Sequence, residues 1–334
     1  MLKTNGILDV VGNTPLVKLN KLLKSASFDL YAKLEALNPG GSIKDRTATK
    51  MLLEALKQGH INQQTTIIES SSGNLAIGLA QACAYLDLKL ICVMDIKSTL
   101  TNRRLVEIYG GTVDLVMEPD PHSGGFLQAR VSRVNQLLDL VPNSFNCNQY
   151  ANLNNPKAHY QTMAEIANEL NNNVDYLFVA TSTCGTLRGC AEYIAQEGLN
   201  TKIIAVDAKG SVIFGDKPKK RLIPGHGASR VPELFQSNLS SSHILVSDLD
   251  CISGCYQLLE REAIFAGGSS GAIVSAIVKY KEAIPSGSTV VAIICDRGER
   301  YLDTVYSDSW VHEKFGVTQQ SISLQQAEYQ VVTK

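Results

Sequence analysis

The sequence predicts an α/β protein of two domains, in which helices cover both faces of parallel-rich sheets to give three αβα layers. Short apolar segments rich in β-branched residues alternate with helical segments along most of the chain. Loops of small residues join many of these segments, and this order implies parallel strands with crossover helices. The length of 334 residues also exceeds that of a typical domain, roughly 100–200 residues.

The first half of the chain begins this alternation with a strand that leads into a glycine-rich loop. The β-branched run 65–69 and the apolar run 88–93 predict two further strands, and a helical segment follows each of them. In chain order the predicted elements are strand 30–37, helix 47–58, strand 65–69, helix 75–86, strand 88–93, helix 102–109, strand 112–117 and helix 126–140. The segment 145–150 is predicted to cross into the second domain.

The second half of the chain repeats this order. Its predicted elements are helix 155–171, strand 176–180, helix 187–197, strands 203–207 and 244–246, helix 272–280 and strand 289–294. The predicted domains are a smaller one over 36–148 and a larger one over 1–35 plus 149–316, with a Gln- and Ser-rich peripheral tail over 317–334. A ligand cleft is expected between the domains, at the C-terminal ends of the strands.

The charge balance argues against several classes of partner. The 31 basic and 32 acidic side chains nearly cancel, and no block of like charge is present, so neither nucleic acid nor a membrane surface is expected as a partner. The first residues lack the basic-then-apolar pattern of a signal peptide, and no apolar run is long enough to span a bilayer. We therefore expect a cytoplasmic protein that acts on small molecules.

Cysteines and histidines give no sign of a metal site. The eight cysteines show no CxxC pair and several lie in apolar runs, so most are predicted to be buried in a reducing compartment. The six histidines include no HExxH or similar spacing. No metal is therefore expected.

One lysine stands in a loop that has the character of a ligand site. The segment 37–46 has the sequence LNPGGSIKDR, in which a proline and two glycines precede Lys44. These residues predict a tight loop with little side-chain bulk, and the run after Lys44 predicts a helix. A lysine at such a junction has room for a flat ligand beside it. A surface lysine would be the simpler interpretation, but two further loops supply the rest of a site.

Two strand-to-helix junctions are built from Ser, Thr and Gly. Such junctions direct free backbone N–H groups and the positive end of a helix dipole toward a ligand, so each is a candidate anion site. The loop 71–75 is predicted to hold a substrate carboxylate, and the loop 182–186 is predicted to hold a phosphate. Either loop alone could reflect the ordinary preference for these residues at helix starts. Together with Lys44, they predict a lysine-bound cofactor.

The chain resembles the fold-type-II pyridoxal-phosphate enzymes of the cysteine synthase and cystathionine β-synthase family. The matching segments occur in the same order over nearly the whole chain, at 13–17 (NTPLV), 38–46 (NPGGSIKDR), 72–74 (SGN), 185–187 (GTL), 267–271 (GGSSG) and 298–301 (GERY). The resemblance implies a fold like that of the tryptophan synthase β subunit, pyridoxal 5′-phosphate as cofactor, and a homodimer.

The resemblance assigns roles to individual residues. It implies that Lys44 forms the Schiff base with the cofactor and then removes the Cα proton of the substrate. Asn74 is implied as the partner of the ring hydroxyl, and Ser269 as the residue that faces the pyridine nitrogen. A neutral serine there leaves the ring a weaker electron sink, which favours loss of a β leaving group. The implied phosphate-binding residues are Ser182, Thr183, Cys184, Gly185 and Thr186.

The two anion-site loops depart from those of ordinary cysteine synthases. The loop 71–75 is SSGNL where TSGNT is usual, and the loop 182–186 is STCGT where GTGGT is usual. With the segments 206–215, 224–232 and 296–303, these departures resemble the N-(2-amino-2-carboxyethyl)-L-glutamate synthase branch, which serves 2,3-diaminopropionate and siderophore biosynthesis. The resemblance implies that O-phospho-L-serine loses phosphate, and that L-glutamate adds to the resulting aminoacrylate. It also implies a dehydrogenase that acts on the product.

Substrates with this much negative charge require cations near the cleft, and arginine binds phosphate and carboxylate well. The candidates are Arg130, Arg230 and Arg297, of which Arg130 is the preferred phosphate contact. Any single arginine could equally lie on a solvated helix face, and Arg133, one turn beyond Arg130, is the control. The predicted substrate-binding residues are Ser71, Ser72, Gly73, Asn74, Leu75, Arg130, Gln149, Tyr150 and Ser182.

Two other functions fit parts of the same pattern. A cysteine synthase or phosphoserine sulfhydrylase would use the same fold with sulfide as the nucleophile, and product mass would distinguish it. A non-enzymatic pyridoxal-phosphate binder, acting as a regulator or scaffold, is the least favoured. Lys44, Asn74 and Ser269 are all present, so the chain has every residue that the chemistry requires.

Overall fold

The computed structural model describes residues 6–122, 124–318 and 321. Its strands are β1 (Leu16–Lys18), β2 (Asp29–Leu34), β3 (Thr66–Ser70), β4 (Lys89–Asp95), β5 (Thr112–Val116), β6 (Ser144–Phe145), β7 (Tyr176–Ala180), β8 (Lys202–Ala208), β9 (Ser242–Val246) and β10 (Thr289–Ile294). Its helices are α1 (Lys44–Lys57), α2 (Asn74–Tyr85), α3 (Leu100–Ile108), α4 (Phe126–Leu140), α5 (Asn154–Glu169), α6 (Gly185–Gln196), α7 (Asp248–Glu262), α8 (Gly268–Tyr280) and α9 (Asp308–Phe315).

The described strands form two sheets. The larger sheet has the order β1-β2-β10-β7-β8-β9, and the smaller has the order β5-β4-β3-β6. All neighbouring strands are parallel except the pair β1 and β2. Every residue of β10 is buried, as expected of a parallel strand covered on both faces. The predicted α/β class with parallel-rich sheets is confirmed.

Each sheet has an apolar core of its own. Buried residues such as Phe178, Ile273 and Val291 belong to the core at the large sheet. Leu52 and Ile67 belong to the core at the small sheet. The strands of the small sheet all come from residues 66–145, which lie within the predicted smaller domain. The domain boundaries at 36 and 148 stay a prediction.

The predicted elements agree with the structure apart from a few segments. The bounds of α4, β7 and β10 are those predicted from the sequence, whereas the strand predicted over 30–37 ends at Leu34 and continues as a 3₁₀ turn. The sequence prediction lacks α7, which begins with a capping box between Ser247 and Asp250. Apart from 317, 318 and 321, the predicted tail lies outside the described residues.

The expectation for the cysteines is met. All eight cysteines are free and buried, so the prediction that most of them are buried is confirmed. In the described ranges, no helix is long and apolar enough to cross a membrane. Among the same residues, no group of His, Cys, Asp or Glu side chains is arranged to hold a metal ion.

Candidate active site

Lys44 is the first residue of α1, and backbone contacts fix the loop before it. Asp45 accepts a hydrogen bond from the Gly40 N–H at 2.6 Å, which draws the loop back onto the helix start. Gly41 has a φ of +84°, a conformation that favours glycine. The Ile43 N–H donates to the Cys295 carbonyl at 2.8 Å, just beyond the end of β10. Lys44 therefore sits where α1 begins and the central strand of the large sheet ends.

The Lys44 amine has the electrostatic character of a nucleophile. Burial of the amine lowers its pKa, and the electrostatic influence of Cys295 and Asp296 only partly opposes that shift. Within the part of the chain that the structure describes, Nζ makes no ion pair. An amine with a lowered pKa and no ion-pair partner is neutral more often at physiological pH, as attack on a carbonyl group requires.

Asn74 begins α2, and both ends of its amide are held. Its Nδ2 donates to Asp296 Oδ2 at 2.7 Å, and its Oδ1 accepts a hydrogen bond from Arg300. Arg300 also donates to the Gly40 carbonyl, so it connects Asn74 to the lysine loop. Tyr301 donates to the same oxygen of Asp296. These contacts fix the orientation of the Asn74 amide at the start of α2.

Ser269 lies buried in the first turn of α8. The backbone of Gly225 closes over it: a Cβ at that position would lie 3.4 Å from the Ser269 hydroxyl, and the φ of Gly225 is +96°. The Ser269 hydroxyl is therefore enclosed at a helix start beside a glycine. Its hydrogen bond to a ring nitrogen stays a prediction.

The predicted phosphate loop connects β7 to α6. Thr183 Oγ1 accepts hydrogen bonds from Asn155 Nδ2 at 3.1 Å and from the Gly185 N–H at 3.5 Å, which fixes the turn. A Cβ at Gly185 would lie 2.0 Å from Asn155 Oδ1, so only glycine fits there. Ser182 is half-buried and Thr186 lies in the first turn of α6. These residues meet at a helix N-terminus, the geometry of a phosphate site.

Cys184 differs from its neighbours in this loop. Its backbone is left-handed, with a φ of +63°, and its side chain packs in an apolar cluster with Ile213, Ala228 and Leu234. Burial raises the pKa of its thiol to about 12. Any part that Cys184 has in binding a phosphate would therefore come from its backbone.

The predicted substrate loop follows β3, and Arg130 reaches it from α4. Arg130 Nη1 donates to Ser72 Oγ, and its Nε lies 3.3 Å from Asp95 Oδ2. Ser72 also donates to that carboxylate oxygen, at 3.3 Å. The Asn102 side chain donates to the Ser72 carbonyl at 3.0 Å. The structure thus brings Arg130 to the substrate loop.

Leu75 and Ser71, in the same loop, were also predicted to bind the substrate. The side chain of Leu75 is buried in the core at the small sheet, so it packs there and leaves only its backbone for a substrate. Ser71 is buried, and its hydroxyl accepts a hydrogen bond from the Gly73 N–H at 3.4 Å. Leucine in place of the usual threonine at position 75 therefore affects core packing at the start of α2.

Gln149 and Tyr150 lie beside the same loop. Gln149 Nε2 donates to the Ser70 carbonyl at 3.5 Å, at the end of β3. The guanidinium carbon of Arg230 lies 5.1 Å from the centre of the Tyr150 ring. Burial raises the pKa of the Tyr150 hydroxyl, whereas the positive charges of Arg130 and Arg230 oppose that rise. Tyr150 therefore stands between the two arginines.

The candidate arginines differ in exposure and in the groups that they contact. Arg130 is 15% exposed and faces the substrate loop, whereas Arg133 is 37% exposed and pairs with Asp114 at 2.8 Å. Arg297 pairs with Glu299 at 3.1 Å on the surface. Arg133 is therefore the solvated helix-face residue that was chosen as the control, and Arg130 is not.

Sequence reasoning gave no role to Asp296, Arg300 or Tyr301. Arg300 and Tyr301 belong to the GERY segment that supports the resemblance, but the resemblance assigned no role to either residue. Burial raises the pKa of Asp296, although the hydrogen bonds from Tyr301 and Asn74 oppose the shift. Its Oδ1 is buried without a hydrogen-bond partner among the described residues. This cluster positions Asn74 at the site.

The residues present fit pyridoxal 5′-phosphate. The donor set comprises the half-buried amine of Lys44, the side-chain amide of Asn74 and the hydroxyl of Ser269, with the α6 N-terminus available for the phosphate. When bound, this cofactor withdraws electrons from the Cα of an amino acid. The site is therefore that of an enzyme which acts on amino acids at Cα and Cβ.

Comparison with known proteins identifies the family. The model of the pyridoxal-phosphate dependent enzyme family matches residues 7–296, so the chain belongs to that family. It is therefore an enzyme that uses pyridoxal phosphate.

Solved structures narrow the reaction type. The chain is similar to an O-acetylserine dependent cystathionine β-synthase from Helicobacter pylori, with 31% identity over 92% of this chain and 100% of that one and a TM-score of 0.84. A hydrogen sulfide-producing enzyme from Fusobacterium nucleatum shares 36% identity over 89% and 98% of the two chains, with a TM-score of 0.83. An O-ureido-L-serine synthase shares 27% identity over 95% and 98%, with a TM-score of 0.84.

These relatives and the site agree on one type of chemistry. The chain is a pyridoxal-phosphate dependent enzyme of the cysteine synthase family that catalyses β-replacement, a transferase reaction of amino-acid biosynthesis. The predicted cofactor, enzyme class and family are confirmed.

Proposed function

We propose that the enzyme joins O-phospho-L-serine and L-glutamate to form N-(2-amino-2-carboxyethyl)-L-glutamate and inorganic phosphate. The bond between Cβ and the phosphate oxygen breaks, and phosphate leaves with the electron pair. The amine nitrogen of glutamate then forms a bond to Cβ and loses a proton. The Cα proton that is removed at the start is replaced at the end, so the reaction needs no oxidant or reductant.

The position of Arg130 carries the proposal for the phosphate. Its guanidinium contacts Ser72 in the substrate loop and is largely buried, so a leaving group at Cβ would lie close to a fixed positive charge. A guanidinium can donate two hydrogen bonds to one phosphate, and a charge-assisted bond of this kind is stronger than one to a neutral acetyl group. Ser182 and Tyr150 are the proposed hydroxyl donors.

Lys44 is the proposed acid and base. Lys44 is half-buried at the start of α1, and its Nζ makes no ion pair among the described residues, so it can accept the Cα proton and later return it. The α2 N-terminus, from Ser71 to Leu75, would hold the substrate carboxylate through backbone N–H groups.

The resemblance to the N-(2-amino-2-carboxyethyl)-L-glutamate synthase branch supports glutamate as the nucleophile. It rests on the departures at 71–75 and 182–186 and on the segments 206–215, 224–232 and 296–303. The same resemblance supports a role in 2,3-diaminopropionate and siderophore biosynthesis, a homodimer in the cytoplasm, and a dehydrogenase that acts on the product.

The proposal is tested by incubating the holoenzyme with O-phospho-L-serine and a panel of amines and thiols. We expect phosphate release that depends on glutamate, and a product with the mass of the glutamate adduct. Release of phosphate without formation of that adduct would contradict the proposal.

A second candidate function is sulfide-dependent cysteine synthesis. Its support is the similarity to enzymes of sulfur amino-acid metabolism, including the hydrogen sulfide-producing enzyme. The same panel separates the two candidates, because cysteine as the dominant product would favour the second.

A further inference from the structure

Arg230 is an exposed arginine that points its charge at the site without a carboxylate partner. Its guanidinium carbon lies 5.1 Å from the centre of the Tyr150 ring, a distance typical of a cation–π contact. Among the described residues, no carboxylate lies within ion-pair distance of Arg230, in contrast to Arg130 and Arg297. Stacking on a ring leaves the N–H groups in the guanidinium plane free to bind a ligand.

The loop 221–230 is anchored on the cofactor side of the site. The Gly227 N–H donates to the Thr181 carbonyl at 2.6 Å, immediately before the predicted phosphate loop. Gly225 packs over Ser269. Arg221 stabilises the end of the loop, because it donates to the His226 carbonyl at 3.2 Å and to Ser229 Oγ at 3.0 Å. These contacts accompany the placement of the next residue, Arg230, over the Tyr150 ring.

Two arginines therefore approach Tyr150 from different halves of the molecule. Arg130 comes from α4, which packs on the small sheet, and Arg230 comes from a loop after β8 in the large sheet. Arg130 is already engaged by Asp95 and Ser72. Within the described part of the chain Arg230 has no such partner, so a single anionic substrate at Arg130 leaves one cation without a counter-charge.

We infer that Arg230 binds the side-chain carboxylate of the dicarboxylic amino acid that supplies the amine, and so forms a second anion subsite beside Tyr150. The inference rests on the proposed function and adds to it the residue that selects the nucleophile. A guanidinium binds a carboxylate through two parallel hydrogen bonds, and this geometry favours an acidic side chain over a neutral amide. Sulfide carries no carboxylate and would not use the subsite.

The test is a steady-state comparison of wild-type holoenzyme with Arg230→Ala. We expect the KM for glutamate to rise by about 30-fold, since one charge-assisted contact is lost. The KM for O-phospho-L-serine should rise by much less than the KM for glutamate, because Arg230 reaches the phosphate site only through the Tyr150 ring. Lys220→Ala is the matched control, since it removes an exposed positive charge from the same stretch of chain.

A binding measurement gives a readout that does not depend on turnover. Glutarate has two carboxylates and no amine, and we expect calorimetry to show about 30-fold weaker binding to Arg230→Ala than to wild-type holoenzyme. Arg230→Lys keeps the charge without the planar fork, and its glutamate KM should lie between those of the other two proteins. Thermal melting and the absorbance of the bound cofactor show whether each variant is folded.

The outcomes separate this inference from the proposed function. A wild-type enzyme that does not couple glutamate would overturn the proposed function. If the wild-type enzyme couples glutamate but Arg230→Ala keeps the wild-type KM for glutamate and affinity for glutarate, only the proposed subsite is overturned. Equal losses for glutamate and O-phospho-L-serine would also overturn it.

Discussion

Two groups of side chains meet at the site, and they are held in different ways. The cofactor group, Lys44, Asn74 and Ser269, consists of residues at the starts of α1, α2 and α8. The arginine group, Arg130, Tyr150 and Arg230, comes from the middle of α4, from the segment after β6 and from a long loop. The first group is placed by the backbone at helix starts, with side chains of Asp296 and Arg300 orienting Asn74, whereas the second group is joined by contacts between side chains.

This difference predicts that the cofactor group determines the type of reaction and that the arginine group determines the choice of substrate. A helix start is set by its strand, its loop and the core beneath it, so its position changes little when surface residues change. An arginine on a helix face or a loop can be replaced without altering the fold. The cofactor group should therefore be required for every substrate, whereas each arginine should matter for one kind of anion.

The largest effect is expected at Lys44. In Lys44→Ala the amine is lost, so turnover with every pair of substrates should fall by at least about 1,000-fold, and the absorbance of the lysine-bound cofactor should disappear. Lys44→Arg tests whether charge alone suffices, and it should be equally inactive. A Lys44→Ala variant that stays yellow and active would contradict the assignment.

Arg130 should discriminate between electrophiles. In Arg130→Ala we expect kcat/KM for O-phospho-L-serine to fall by about 100-fold, and that for O-acetyl-L-serine by much less, since only the phosphate carries the extra charge. Arg133→Ala is the matched control, because Arg133 pairs with Asp114 at the surface of the same helix. Equal losses in the two variants would refute a phosphate contact at Arg130.

Arg300 should affect the cofactor group without contacting a substrate. It holds the Asn74 amide and the Gly40 carbonyl, so Arg300→Met should leave Asn74 less well oriented. We expect kcat to fall by about 10-fold with all substrates alike, and the absorbance maximum of the bound cofactor to shift. Arg297→Ala changes an exposed pair with Glu299 and serves as the control. An unchanged spectrum in Arg300→Met would show that Asn74 needs no such support.

A separate effect concerns stability and not turnover, and it involves Glu69 in β3. Burial raises the pKa of its carboxyl from 4.5 to about 7. The folded state therefore binds the proton more tightly than the unfolded state, and stability falls as pH rises from 4.5 through about 7. Glu69→Gln removes this pH-dependent loss of stability, which is worth at most about 3 kcal/mol. The melting temperature of the variant should therefore rise relative to that of wild type as the pH increases from about 5 to about 8. A difference in melting temperature that is independent of pH would contradict the raised pKa.

The sequence predicted the helix starts that carry the cofactor group for a physical reason. Each lies at a strand-to-helix junction, where glycine and hydroxyl residues within a few positions determine the local backbone. That local signal predicts the lysine loop and the two anion-site loops, whereas the roles of Asn74 and Ser269 follow from the family resemblance and stay predictions. The bounds of α4 were predicted correctly from its periodicity, which is also a local signal.

Contacts between distant segments could not be derived in this way. Arg300 and Asn74 are separated by 226 positions, and only the sheet order with β10 beside β2 brings them together. The stacking of Arg230 on Tyr150 depends likewise on how the loop 221–230 is anchored. The helix α7 is a different case, since the Ser247 and Asp250 capping box was a local signal that the prediction missed.

The most direct test of the account is a competition experiment with wild-type holoenzyme. O-phospho-L-serine is supplied with glutamate and sulfide at equal concentration, and the products are measured by mass. If the arginine group selects anionic substrates, N-(2-amino-2-carboxyethyl)-L-glutamate should be the main product. Cysteine as the main product, with glutamate unused, would contradict the account.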